Sequence, residues 1–84
     1  MTVFIFNFVF DKKDYQASCH VIYPPPDKQY HVAISDAWLG EMYGDHHIIV
    51  ARGEELHWGI PPHDRGSEFM RALVTGLTSH SEYQ

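Results

Sequence analysis

The chain has 84 residues, 44% of them apolar and 14% aromatic, which is the composition of one folded domain over residues 1–84 and not of a disordered segment. Six basic residues against eleven acidic ones give a net charge of −5, which argues against non-specific nucleic-acid binding or adhesion to an anionic membrane, since both need a basic patch. A single cysteine, Cys19, excludes an intrachain disulfide and a Cys-rich zinc framework.

The opening stretch Met1–Phe10 is apolar but too short to span a bilayer. It has no basic leader and runs directly into charged residues, so a cytoplasmic protein is expected. Val3–Phe10 reads as a strand with Phe4, Phe6, Phe8 and Phe10 on one face, because side chains alternate along a strand. Tyr15–Tyr23 reads as the second strand, with Tyr15, Ala17, Cys19, Val21 and Tyr23 on its apolar face. A four-residue loop, Asp11-Lys12-Lys13-Asp14, would set Phe10 opposite Tyr15, Phe8 opposite Ala17, Phe6 opposite Cys19 and Phe4 opposite Val21.

Pro24-Pro25-Pro26 cannot donate ladder hydrogen bonds and marks a loop. Tyr30–Ile34 alternates as a third strand, predicted to pair Tyr23 with Tyr30, Val21 with Val32 and Cys19 with Ile34. Ser35-Asp36 can cap a helical turn through Ala37, Trp38, Leu39 and Met42 that Gly44 ends; a short strand is the other option for 36–43. Ile48–Arg52 and Glu55–Ile60 form a hairpin about a Gly53-Glu54 turn of type II′, with Arg52 facing Glu55 and Ile49 facing Trp58. Pro61-Pro62 stops the sheet, and Asp64 can cap a helix whose Phe69, Met70, Leu73, Val74 and Leu77 follow the spacing of one apolar face. Gly76 weakens that helix near its end, and 79–84 is expected to fray.

The fold class expected is therefore α+β: an antiparallel meander of about five strands with one C-terminal helix on the phenylalanine face. The hairpin, the Tyr30-His31-Val32 strand, Trp58 near the last strand and the helix bearing Phe69-Met70 and Leu73 together resemble small uncharacterised bacterial domains. That resemblance implies a sheet with one helix packed on it and brings no activity.

Histidine is the candidate chemistry. His20 and His31 project from the face opposite the phenylalanines, diagonally across adjacent strands, with Asn7, Ser18 and Ser35 beside them. A histidine-lined polar face suits a small ligand or an acid–base role, with His20, His31 and Asn7 as the ligand-binding candidates. His46-His47, His57 and His63 fall near Asp45, Glu54, Glu55 and Asp64, which makes His47, His57 and His63 the alternative metal set. No recognised ligand spacing is present, so neither a metal nor any other cofactor is expected. Cys19 and His20 face opposite ways on one strand and cannot form a nucleophile–base pair. The six glycines are dispersed and make no phosphate loop, Ser67-Glu68 is explained by capping, and Trp38 and Trp58 are expected in the core. An enzyme is not the favoured reading.

Association is the stronger signal. Val3, Ile5 and Val9 lie behind the phenylalanines of strand one, and Ile22 joins them from strand two. An apolar strand at a sheet edge needs a cover, from another strand of the chain or from another subunit. The function expected is a non-catalytic interaction or dimerisation module, a homodimer through Val3, Ile5, Val9 and Ile22. The alternative is a small-molecule or metal-ion binding protein.

Overall fold

A computed structural model describes residues 2–23, 27–80 and 83. Five strands, β1 (Thr2–Phe10), β2 (Lys13–Ile22), β3 (Lys28–Ile34), β4 (His46–Arg52) and β5 (Glu55–Trp58), form one antiparallel sheet in the order β1-β2-β3-β4-β5. Helix α1 (Ala37–Tyr43) links β3 to β4, and helix α2 (Gly66–Ser79) follows β5. The architecture is the expected α+β meander with α2 on the phenylalanine face. The reading of Pro24-Pro25-Pro26 as a loop lies outside the described residues.

The first hairpin corrects the expected register. Asp11 and Lys12 have φ values of 51° and 64°, so they alone form the turn, and Lys13 and Asp14 belong to β2. Two successive left-handed residues are the signature of a type I′ turn, whose twist matches that of the strands it joins. Phe10 therefore faces Lys13, Phe8 faces Tyr15, Phe6 faces Ala17 and Phe4 faces Cys19. The next pair is offset the same way: Val21 faces Tyr30, Cys19 faces Val32 and Ala17 faces Ile34. Both offsets are two residues, so every side chain stays on its expected face. The β4–β5 pairing is as read, Arg52 with Glu55 and Ile49 with Trp58, about a turn in which Gly53 has φ 64°.

The core lies between the sheet and α2. Phe4, Phe6, Phe8 and Phe10 are buried with Ala17, Cys19, Val32, Ile49 and the helix residues Phe69, Met70, Leu73 and Leu77. Phe69 meets Phe8 and Phe10 edge-on and stacks on Tyr43 at 4.5 Å between ring centres. Segment 36–43 is a helix: the Asp36 carboxylate accepts from the Leu39 backbone N–H at 2.9 Å, and Gly44, with φ 96°, ends it. Leu39 and Tyr43 are its buried side, which leaves Trp38 58% exposed, and Trp58 on the edge strand β5 is 37% exposed. Neither tryptophan is in the core, contrary to expectation. Two described residues tie down the tail: His80 stacks on Phe4 at 4.8 Å, and Tyr83 stacks on Tyr30 at 5.1 Å with its carbonyl accepting from the Tyr30 hydroxyl.

Two features set the position of α2. Its N-cap is Arg65, not Asp64, and the guanidinium does a different job. It donates to both oxygens of Asp11 in the first turn and to Glu68, and lies over the Phe10 ring at 4.9 Å. Hydrogen bonding from Arg65 holds the Asp11 carboxyl below its ordinary value of 3.8. A carboxyl depressed in the folded state adds stability that is present above the unfolded value and is lost as pH falls through the folded one. The difference in melting temperature between the native chain and Asp11→Asn should therefore shrink as pH is lowered below about 4, and thermal melts across that range will show it.

The second feature is Gly76. A Cβ there would sit 2.5 Å from Phe8 Cβ and 2.6 Å from the Asn7 carbonyl oxygen, so the helix rests directly on the β1 backbone. Gly76 is a contact residue, not a weak point of the helix. Gly76→Ala should lower stability by about 1–3 kcal/mol, although alanine is the better helix former, because the overlap is with backbone that cannot rotate away. Urea denaturation will measure it.

Candidate functional site

The sheet face turned away from α2 has no element of this chain packed on it among the described residues. Its middle is made of three four-residue cross-strand rows, flanked by the Asn7–Gln16 and Val9–Asp14 pairs at one end and by Arg52–Glu55 at the other. The middle row runs Val3, His20, His31, Ile48 from β1 to β4. On one side lies the row Ile5, Ser18, Ala33, His46, and on the other Ile22, Gln29, Val50, His57 from β2 to β5. Val3, Ile5, Val9 and Ile48 are 58%, 61%, 59% and 49% exposed. None of the residues in the three rows is acidic, Lys or Arg, in a chain with seventeen such residues. Formal charges begin at the rim, with Asp14 beside Val9 and with Arg52 and Glu55 at the β4–β5 turn.

The two histidines expected to lie diagonally are directly opposite each other, because the register is offset by two. His20 is exposed and His31 half-buried. The His31 Nε2–H donates to Gln29 Oε1 at 2.9 Å, which leaves Nδ1 with its lone pair free of that bond. Asn7 shares the face but pairs with Gln16, four residues along β1 from the row of His20, a separation of about 13 Å. The structure thus brings His20 and His31 together and leaves Asn7 apart.

The alternative set is divided between faces. His47 is on the helix side, where its Nε2–H donates to the Gly44 carbonyl at 2.9 Å and burial depresses its pKa below the ordinary 6.5. His63 is on that side too, with its ring 4.7 Å from Tyr43 and its Nδ1 accepting from the Arg65 backbone. His57 pairs with Val50 on the open face and so cannot join them. Among the described residues no group of three or more His, Cys, Asp or Glu is placed to hold one ion. The Cys19 thiol is fully buried, and burial raises its pKa to about 11, which makes it an inert core residue and not a nucleophile.

Sequence reading missed His46, Ile48 and Val50 as members of this face. It began β4 at Ile48, whereas the strand begins at His46. The alternation His46, Ile48, Val50 was the available signal. The surface also carries an open cleft of about 520 Å3 between β1 and α2, lined by Asn7, Val9, Glu68, Arg71 and Thr75. Its charged groups are Glu68 and Arg71, and the Thr75 and Ser79 hydroxyls in it donate to the α2 carbonyls of Arg71 and Thr75. No described helix is long and apolar enough to cross a membrane. Comparison with family models, with curated proteins and with solved structures gives no match.

Proposed function

We propose that the chain is a non-catalytic association module that forms a homodimer by stacking its open sheet face on that of a second copy. The observation that carries this is a field of apolar, small polar and histidine side chains without Asp, Glu, Lys or Arg, on a sheet face with no other described element packed over it. Depletion of charge at the centre with a charged rim is the pattern of interface cores. The three four-residue rows together with the adjoining Asn7–Gln16 and Val9–Asp14 pairs cover about 500 Å2 of the face, so two fully stacked copies would bury about 1,000 Å2, the lower bound for a specific interface.

Pairing through the β1 edge fits less well. Helix α2 rests on β1, with Gly76 against the Asn7 carbonyl. A second β1 about 4.8 Å away would bring a second α2 closer than the 8–10 Å that two packed helices need. The face meets no such obstacle. A dimer would also add stability to a chain whose size allows only about 60–65% of its surface to be buried. Sedimentation equilibrium in EDTA, from about micromolar to hundred-micromolar protein, is the test. A concentration-dependent mass rising toward twice that of the chain is expected; one monomeric species throughout would overturn association of the faces by themselves.

A further inference from the structure

The opposed histidines occupy a particular place on the open face. β3 is the central strand of the five, and the row containing His31 is the middle one of the three four-residue rows, so His31 lies near the centre of the field with His20 beside it. A two-fold stack that buries most of this face puts its axis near that centre. Cross-strand neighbours in an antiparallel pair have Cβ atoms about 4.5–5.5 Å apart, close enough for two imidazoles to bind one ion. Each chain then supplies two ligands, and a tetrahedral site needs four.

We propose that His20 and His31 are half of a transition-metal site for zinc or a similar borderline cation, completed by His20 and His31 of a second copy across the stacked faces. The proposal rests on the reading that the open faces stack, and it adds a ligand class and a role for the pair at the centre of the interface. Sheets packed face to face are about 10 Å apart, a gap that an imidazole from each side and metal–nitrogen bonds of about 2.0–2.1 Å can span. Neutral imidazoles are the ligand form, no Asp, Glu, Lys or Arg lies in the three rows, and the other two histidines there, His46 and His57, stand at the far ends of the outer rows beside Asp45 and Glu55. The bond from His31 Nε2–H to Gln29 Oε1 is the outer-shell contact that metal-bound histidines usually make, fixing the ring and leaving Nδ1 as the ligand atom. The half-site also explains why two histidines, not three, converge within one chain.

The test is sedimentation equilibrium of tag-free protein in EDTA and then with zinc chloride at half a molar equivalent, alongside elemental analysis after desalting. One zinc per two chains and at least a tenfold tighter dimer are expected. His31→Gln and His20→Gln should each remove the zinc effect while the dimer measured in EDTA stays, and His57→Gln should keep it. Circular dichroism will confirm that the variants are folded. Dimerisation in EDTA with no zinc effect would sink this proposal and leave the stacking intact. A monomer under both conditions would sink both. A dimer that forms only with zinc supports the site, as long as His31→Gln abolishes it. Zinc bound equally by His31→Gln would place the ion elsewhere and overturn the assignment.

Discussion

Replacing Leu73 with alanine should destabilise the fold by about 2–4 kcal/mol, while Arg71→Ala should leave the denaturation midpoint almost unchanged. Both residues are on α2, two positions apart, and their environments are opposite: Leu73 is fully buried and Arg71 exposed. Leu73 is flanked along the helix by Phe69, Met70 and Leu77, which are also buried, so no exposed side chain is free to swing into the vacated space. The sheet beneath is held by its own ladder and by phenylalanines already packed against Phe69, which limits collapse. A cavity that cannot relax puts the change toward the upper part of the range seen for leucine-to-alanine substitutions. Urea unfolding of the two variants decides it. Equal midpoints would mean that α2 presents a different side to the sheet.

The fold was largely legible because period-two alternation in β1, β2 and β3 and the helical spacing of Phe69, Met70, Leu73 and Leu77 reflect burial, and burial dominates the energetics. The register was not. Lys13 and Asp14 look like turn residues by charge, yet they extend the strand once Asp11 and Lys12 both adopt left-handed φ, which sequence preference would assign to Asn-Gly. An error of two residues preserves the faces and moves the partners, so the core residues were found while their pairings were not. That same offset turns His20 and His31 from diagonal neighbours into an opposed pair. The role of Gly76 was hidden for a related reason. Local propensity marks a mid-helix glycine as a weakness, and only the approach of the Asn7 and Phe8 backbone shows why a side chain cannot be there. The tryptophans were misplaced because size favours burial on average, whereas Trp38 is on the outer side of a seven-residue helix whose inner side holds only Leu39 and Tyr43.

Ile5→Lys should weaken self-association at least about a hundredfold, the equivalent of about 2.8 kcal/mol, with little change in the stability of the monomer. Ile5 is 61% exposed in the single chain, so its replacement removes little internal packing. It lies in the row with Ser18, Ala33 and His46, next to the middle row of the face, with Val3 two residues away on β1. A lysine there is solvated in the monomer. In a stacked dimer it would be buried twice, once from each copy, in a field whose rows contain no carboxylate to pair with it. An unpaired ammonium in an apolar setting is strongly disfavoured, and two-fold symmetry doubles the penalty. Ser67→Lys, which adds the same charge at an exposed position on α2, is the control and should associate like the native chain. The comparison is made in EDTA, so that metal plays no part, with circular dichroism confirming that both variants are folded. A folded Ile5→Lys protein with the native sedimentation profile would show that any association uses another surface, the β1 edge or the exposed Trp38 side of α1 among them.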